Sequence, residues 1–134
     1  MIMQTIKHKG KINVIIYRDE DWVEGLNFIT PESMFMQVGS WWYKKGKILD
    51  KHIHNEFDRV ANRTQECVYV RKGSMKVTLY SEEFEEFDTF ILYTGDLAIF
   101  ANGGHGYEIL EDNTQIIESK NGPFTGVEKD KIKF

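Results

Sequence analysis

Gly46-Lys47-Ile48-Leu49-Asp50-Lys51-His52-Ile53-His54 places two histidines one residue apart at the end of an apolar run. Its apolar approach to a His-x-His pair predicts a strand over Ile48 to His54. Residues two apart on a strand share a face, so His52 and His54 point the same way. Glu66 follows at the start of the next β-rich run and is separated by six residues from Gly73. Further along, Gly95-Asp96 leads to Asn102-Gly103-Gly104-His105. Three of the chain's four histidines and one acid thus fall in or beside strand-like segments.

Outward from this stretch the chain reads as short strands broken by turn residues. Lys11 to Arg18, Met34 to Tyr43 (broken at Gly39-Ser40), Gln65 to Val70 and Met75 to Tyr80 are β-rich. In the last of these, Met75, Val77 and Leu79 alternate with Lys76, Thr78 and Tyr80, the pattern of a half-buried strand. Thr89 to Tyr93, Leu97 to Phe100, Tyr107 to Leu110 and Gln115 to Ser119 complete the set. Arg71-Lys72-Gly73-Ser74 reads as a hairpin turn, and the acidic run Ser81 to Asp88 as a solvated connection. Turn signals this frequent predict an all-β sandwich or barrel. There is no convincing helix, repeat or linker.

The 134 residues suffice for one domain with its own core. A net charge of -4 with scattered Lys and Arg excludes general nucleic-acid affinity, which needs clustered cations against phosphate. A single cysteine, Cys67, makes neither an internal disulfide nor a Cys-rich zinc knuckle. No apolar run approaches the roughly 20 residues of a membrane span, and the first residues lack a signal-peptide core. The expectation is a soluble cytoplasmic protein with no membrane and no nucleic-acid partner.

Two imidazoles on one face, a carboxylate and a third imidazole suit one first-row divalent metal ion. His52, His54, Glu66 and His105 are the candidate ligands. Four protein ligands leave one or two positions open on an octahedral ion, as catalysis or substrate chelation requires. Zinc, manganese, iron, nickel, cobalt and copper all accept this donor set.

Gly46-x5-His52-x-His54, Glu66-x6-Gly73 and the later Gly95-Asp96 with Gly103-Gly104-His105 resemble the two motifs of the cupin superfamily over residues 35 to 120. The resemblance implies a single-domain, double-stranded β-helix, a jelly-roll barrel spanning 1–134, with N-terminal strands in 1–34. It also implies a metal inside the barrel on the four residues just named. Two departures stand out. Eleven residues, not three or four, separate His54 from Glu66, so a longer loop is expected at the barrel mouth. The second motif has Ala101 in place of proline and is one residue short before His105. The run Asn102 to Glu108 and the tail Asn121-Gly122-Pro123-Phe124 resemble small cupins associated with surface-polysaccharide biosynthesis, which implies a carbohydrate context.

Tyr107 shares a face with His105 and is a candidate proton donor or acceptor. Arg59 and Arg63, in the long loop, are candidates for anion capture. Cys67 should face away from the site, with Thr64 and Val68 facing in. Trp41 and Trp42 read as core and dimer packing. Three functions are consistent with these residues. One is a metal-dependent enzyme on a small molecule, such as a sugar or sugar-nucleotide intermediate. Another is a metal-free sugar-nucleotide isomerase or epimerase, with His52 or His54 as base and Tyr107 as acid. The third is a non-catalytic, metal-dependent ligand-binding module. A homodimer is expected, because strands such as Lys11 to Arg18 need an edge partner.

Overall fold

Strict alternation puts Met75, Val77 and Leu79 on one side of a strand, and in the computed structural model all three are buried. The model describes residues 3–134; Met1 and Ile2, the start of the expected N-terminal strand region, lie outside the described residues. Among the described residues the chain is all-β and antiparallel, with a 3-10 turn at Asp19–Asp21 and a single α-helical turn near its end.

The strands are β1 (Gln4–His8), β2 (Lys11–Tyr17), β3 (Gly25–Phe28), β4 (Gly39–Trp42) and β5 (Glu66–Lys72). They continue as β6 (Ser74–Tyr80), β7 (Glu86–Tyr93), β8 (Leu97–Phe100), β9 (Gly104–Ile109) and β10 (Gln115–Lys120). α1 (Val127–Asp130) is a single turn. One sheet has the order β1-β2-β8-β5-β10, a second β7-β6-β9, and β3-β4 form a separate hairpin. Val14, Ile16, Val68, Val70, Ala98 and Phe100 of the five-stranded sheet pack on Met75, Val77, Leu79 and Leu92 of the three-stranded one. Each such aliphatic side chain contributes roughly 1.5–3 kcal/mol by leaving water.

A second cluster lies on the outer face of the five-stranded sheet. Ile15, Tyr17, Cys67 and Ile99 are covered there by Ile29, Met34, Met36 and Val38. Cys67 does face away from the sandwich interior, yet it is buried beneath this cover. Burial pushes its thiol up to about 11; the hydrogen bond with Ser119 only partly offsets burial, and the nearby Glu66 charge adds to it. The strand expected over Met34 to Tyr43 is confined to Gly39–Trp42. Upstream, the chain turns onto the cluster, with Gln65 Oε1 accepting from Met36 N at 3.0 Å and Gln37 Nε2 donating to Met34 O at 2.6 Å.

Two expectations fail here for one reason. Ile48 to His54 is not a strand: it has no regular structure, and every residue from Trp41 to Arg63 is exposed. A strand exists only with a hydrogen-bonding neighbour, and this segment has none among the described residues. The three sheets accordingly do not close into a barrel among the described residues. Trp41 and Trp42, expected in packing, are 61% and 47% exposed. No helix among the described residues is long and apolar enough to cross a membrane.

Asp96 does more than cap its turn. Buried, it accepts from Tyr93 N at 2.8 Å, from Asp19 N at 3.0 Å and from Arg18 Nη1 at 2.8 Å. One carboxylate thereby ties the β7–β8 turn to the end of β2.

Candidate functional site

Glu66 opens β5 with its side chain on the sandwich interior, opposite Phe100 of β8 and Lys120 of β10. His105 and Tyr107 lie two apart on β9 of the facing sheet, paired with Leu79 and Val77 of β6. The three side chains meet between the sheets. His105 Nε2 lies 2.9 Å from Glu66 Oε1, and the Tyr107 hydroxyl donates to the same oxygen at 2.7 Å. The His105 ring stacks on Tyr107 at 5.0 Å between centroids and packs on Phe100 at 4.4 Å.

The loop before β9 sets this geometry. Gly103 has a φ of 77°, in the left-handed region. A Cβ there would come within 2.8 Å of Tyr80 O and collide with the Asn13 side-chain amide. Asn13 Nδ2 donates to Asn102 O at 3.0 Å, and Asn102 Nδ2 donates back to Ile12 O at 2.8 Å. The short second motif is thus accommodated by a pinned turn, and β9 begins at Gly104, three residues earlier than expected. His105 therefore belongs to the strand and faces inward.

Burial raises the Glu66 carboxyl, but the hydrogen bonds from His105 and Tyr107, with the His105 and Lys120 charges, outweigh it and hold the group below the usual carboxylate range. Tyr107 moves the other way. Burial, then the Glu66 charge and the hydrogen bond to it, push its phenol far above its ordinary value. Tyr107 consequently stays protonated at neutral pH and donates its hydrogen bond to Glu66.

These residues line a cleft of about 1090 Å³. Its walls include Tyr80, Phe84, Phe100, Glu118 and the C-terminal residues 128–134. Phe134 packs edge-on against Tyr80 at 5.1 Å and lies 4.7 Å from Phe84. Thr64 hydrogen-bonds to Asp130, which also lies 3.7 Å from Lys120 Nζ. This tail forms a wall that no motif in the sequence announces.

Of the proposed ligands, Glu66 and His105 are brought together, and His52 and His54 are not brought to them. The latter pair sits in the exposed segment, rings edge-on at 5.0 Å, with His52 Nδ1 3.0 Å from Asp50 O. Among the described residues no group of three His, Cys, Asp or Glu side chains is placed to hold a metal. Arg63 lines the cleft, its Nη1 2.7 Å from Glu82 Oε1 and 3.3 Å from Asn102 Oδ1. Arg59 lies in the exposed segment with its guanidinium 3.8 Å above the Phe57 ring. The Tyr107–Glu66 bond escaped sequence reading because two residues 41 apart in the chain meet only through sheet stacking.

A carboxylate and an imidazole are donors that a divalent ion accepts, but only two meet here among the described residues, and Glu66 Oε1 and His105 Nε2 stand 2.9 Å apart, at hydrogen-bonding distance. No family model, no curated protein and no solved structure matches the chain.

Proposed function

We propose that the cleft is a metal-dependent site acting on a small polar molecule, of the class of sugars or sugar nucleotides, within a cupin-type jelly roll that is completed when residues 48–54 join it. The observation that supports this is the inward-facing Glu66–His105 pair, an acid and an imidazole brought together from two different sheets. A second observation supports the completion. Among the described residues β9 pairs with β6 on one side only, and no strand hydrogen-bonds to its other edge. A strand over residues 48–54 laid antiparallel on that edge would carry His52 and His54 to the His105 end.

The bound ion would supply Lewis acidity toward a substrate oxygen. His52, His54, Glu66 and His105 would hold it. Tyr107 orients Glu66 through its hydrogen bond and keeps a proton in place for a nearby substrate oxygen. Phe100 and Phe134 give the cleft an apolar floor and wall. Arg63, at the rim, is available for an anionic substituent.

A metal-free isomerase reading, with His105 rather than His52 or His54 as the base, also has an observation in its favour. An imidazole paired with a carboxylate, beside a protonated phenol, is a base and an acid side by side without any ion. Elemental analysis of protein purified without an affinity tag separates the two. The metal reading predicts one ion per chain, lost in His105→Ala, and a ligand-binding signal abolished by EDTA. An empty site after growth in metal-replete medium, with chelator-insensitive turnover, would leave the metal-free enzyme. Equilibrium binding without product would leave a binding module.

A further inference from the structure

We infer that residues 48–54 pair with β9 of a second copy of this chain, so that each site is built from two subunits. The inference rests on the metal reading for its functional meaning, but its geometry is independent of it.

The segment needs a partner. Ile48 and Ile53 are 84% and 89% exposed, and the open edge of β9 has Tyr107, Ile109 and Leu110 partly exposed beside it. An unpaired edge with apolar neighbours is a template for another strand. Charge matches as well. Lys44, Lys45, Lys47 and Lys51 face a single acid, Asp50, within residues 44–54. Along β9, β10 and their connection stand Glu108, Glu111, Asp112 and Glu118 against one lysine, Lys120.

Reach decides which copy supplies the strand. β4 lies on the outer face of the five-stranded sheet, where Ser40 Oγ accepts from Tyr17 Oη of β2 at 3.2 Å. The open edge of β9 lies on the opposite side of that sheet and at its β10 end, because β9 itself meets β5. From β2 to β10 is three strand spacings, about 14 Å, and two layer spacings of about 10 Å separate the hairpin from β9. The straight line through the core is therefore about 24 Å, and any path around it is longer. Trp42 to Ile48 is six residue steps, about 20 Å at full extension. The chain is not fully extended there, because Lys47 N donates to Lys44 O at 3.2 Å and Gly46 takes a φ of 92°. With that turn the reach falls to about 17 Å. A two-fold dimer removes the conflict, since each arm then leaves its own β4 and lands on its neighbour.

Complementation tests this. One chain carries His52→Ala and His54→Ala, the other Glu66→Gln and His105→Ala; each alone binds no metal. Co-expressed, half of the dimers are mixed and each has one intact site, so the preparation recovers about a quarter of the wild-type cobalt content. If wild type loads cobalt and the mixture stays empty, the strand closes within its own chain and the inference fails. A second measurement avoids the site residues. With Cys67→Ser as background, Lys51→Cys and Glu108→Cys are joined by a short bis-maleimide. Exchange predicts a covalent dimer; a cross-linked monomer, or no cross-link, overturns it. Should wild type take up no metal, the metal reading falls and the cross-link alone decides the exchange.

Discussion

The Tyr107 hydroxyl lies 2.7 Å from Glu66 Oε1, a bond that joins β9 of the three-stranded sheet to β5 of the five-stranded sheet. It makes Glu66 a structural tie between the two sheets. Removing the donor should therefore affect stability and titration together. Tyr107→Phe keeps the ring stacked on His105 and deletes only the donor. A hydrogen bond to a charged group contributes about 1.5–3 kcal/mol when well buried, and this ring is partly exposed, so about 1 kcal/mol is expected. Urea unfolding measures it. An unchanged midpoint would mean that the bond is not formed in solution.

Acid stability follows from Glu66. Its folded carboxyl is held below the usual range, since the hydrogen bonds from His105 and Tyr107 outweigh burial. A depressed carboxyl contributes stability that is present above the unfolded value and lost as pH falls through the folded one. The wild-type unfolding free energy should thus decline below about pH 4.3, and Glu66→Gln should flatten that decline. A parallel decline in both proteins would assign the acid sensitivity to other carboxylates.

Gly103→Ala should be costly. The backbone there is left-handed, and the new methyl would press on Tyr80 O. A strained conformation of this kind costs about 1–3 kcal/mol. The same change should blur the NMR signals of His105, which the turn positions. Full stability in the variant would show that the loop has room to rearrange.

Asp96 supports the turn between β7 and β8 through two backbone N–H hydrogen bonds and the Arg18 pair at 2.8 Å. Asp96→Ala strands a mostly buried guanidinium and two N–H groups. Breaking one side of such a pair costs about 3–5 kcal/mol, and the partial exposure of Arg18 places the expectation at the lower end. Thermal unfolding reads it directly; a loss under 1 kcal/mol (about the size of a surface pair) contradicts this role.

Cys67 should be inert in the folded protein. It is buried, and its thiol is pushed up to about 11. A thiol reagent at pH 8 should react only after denaturant is added. Rapid reaction in the native state would mean that the cover of Met34, Met36 and Val38 opens readily.

Much of the fold could be read where a strand declares itself by local pattern. Ser74–Tyr80, Leu97–Phe100 and Gln115–Lys120 follow alternation or dense β-branched composition. β1 and β3 lack either signal, because Gln4–His8 is half polar and Gly25–Phe28 is only four residues long. Glu66 and His105 were legible as a pair through their motif spacing. Their contact with Tyr107 was not, because it depends on how two sheets stack. Ile48 to His54 has strand composition without a strand. Local propensity is satisfied only if an edge is within reach, and that is a property of the assembly. Trp41 and Trp42 mislead similarly: their apolar character marks a surface, not a core position.

In the proposed metal centre Glu66 and His105 supply half of the ligands and His52 and His54 the rest. Tag-free protein is titrated with cobalt(II) and followed by visible absorption. A ligand-field spectrum is expected that saturates at one equivalent per chain and disappears in His105→Ala and in the His52→Ala, His54→Ala double variant. No such spectrum in the wild-type chain, or one that persists unchanged without His105, rules the centre out.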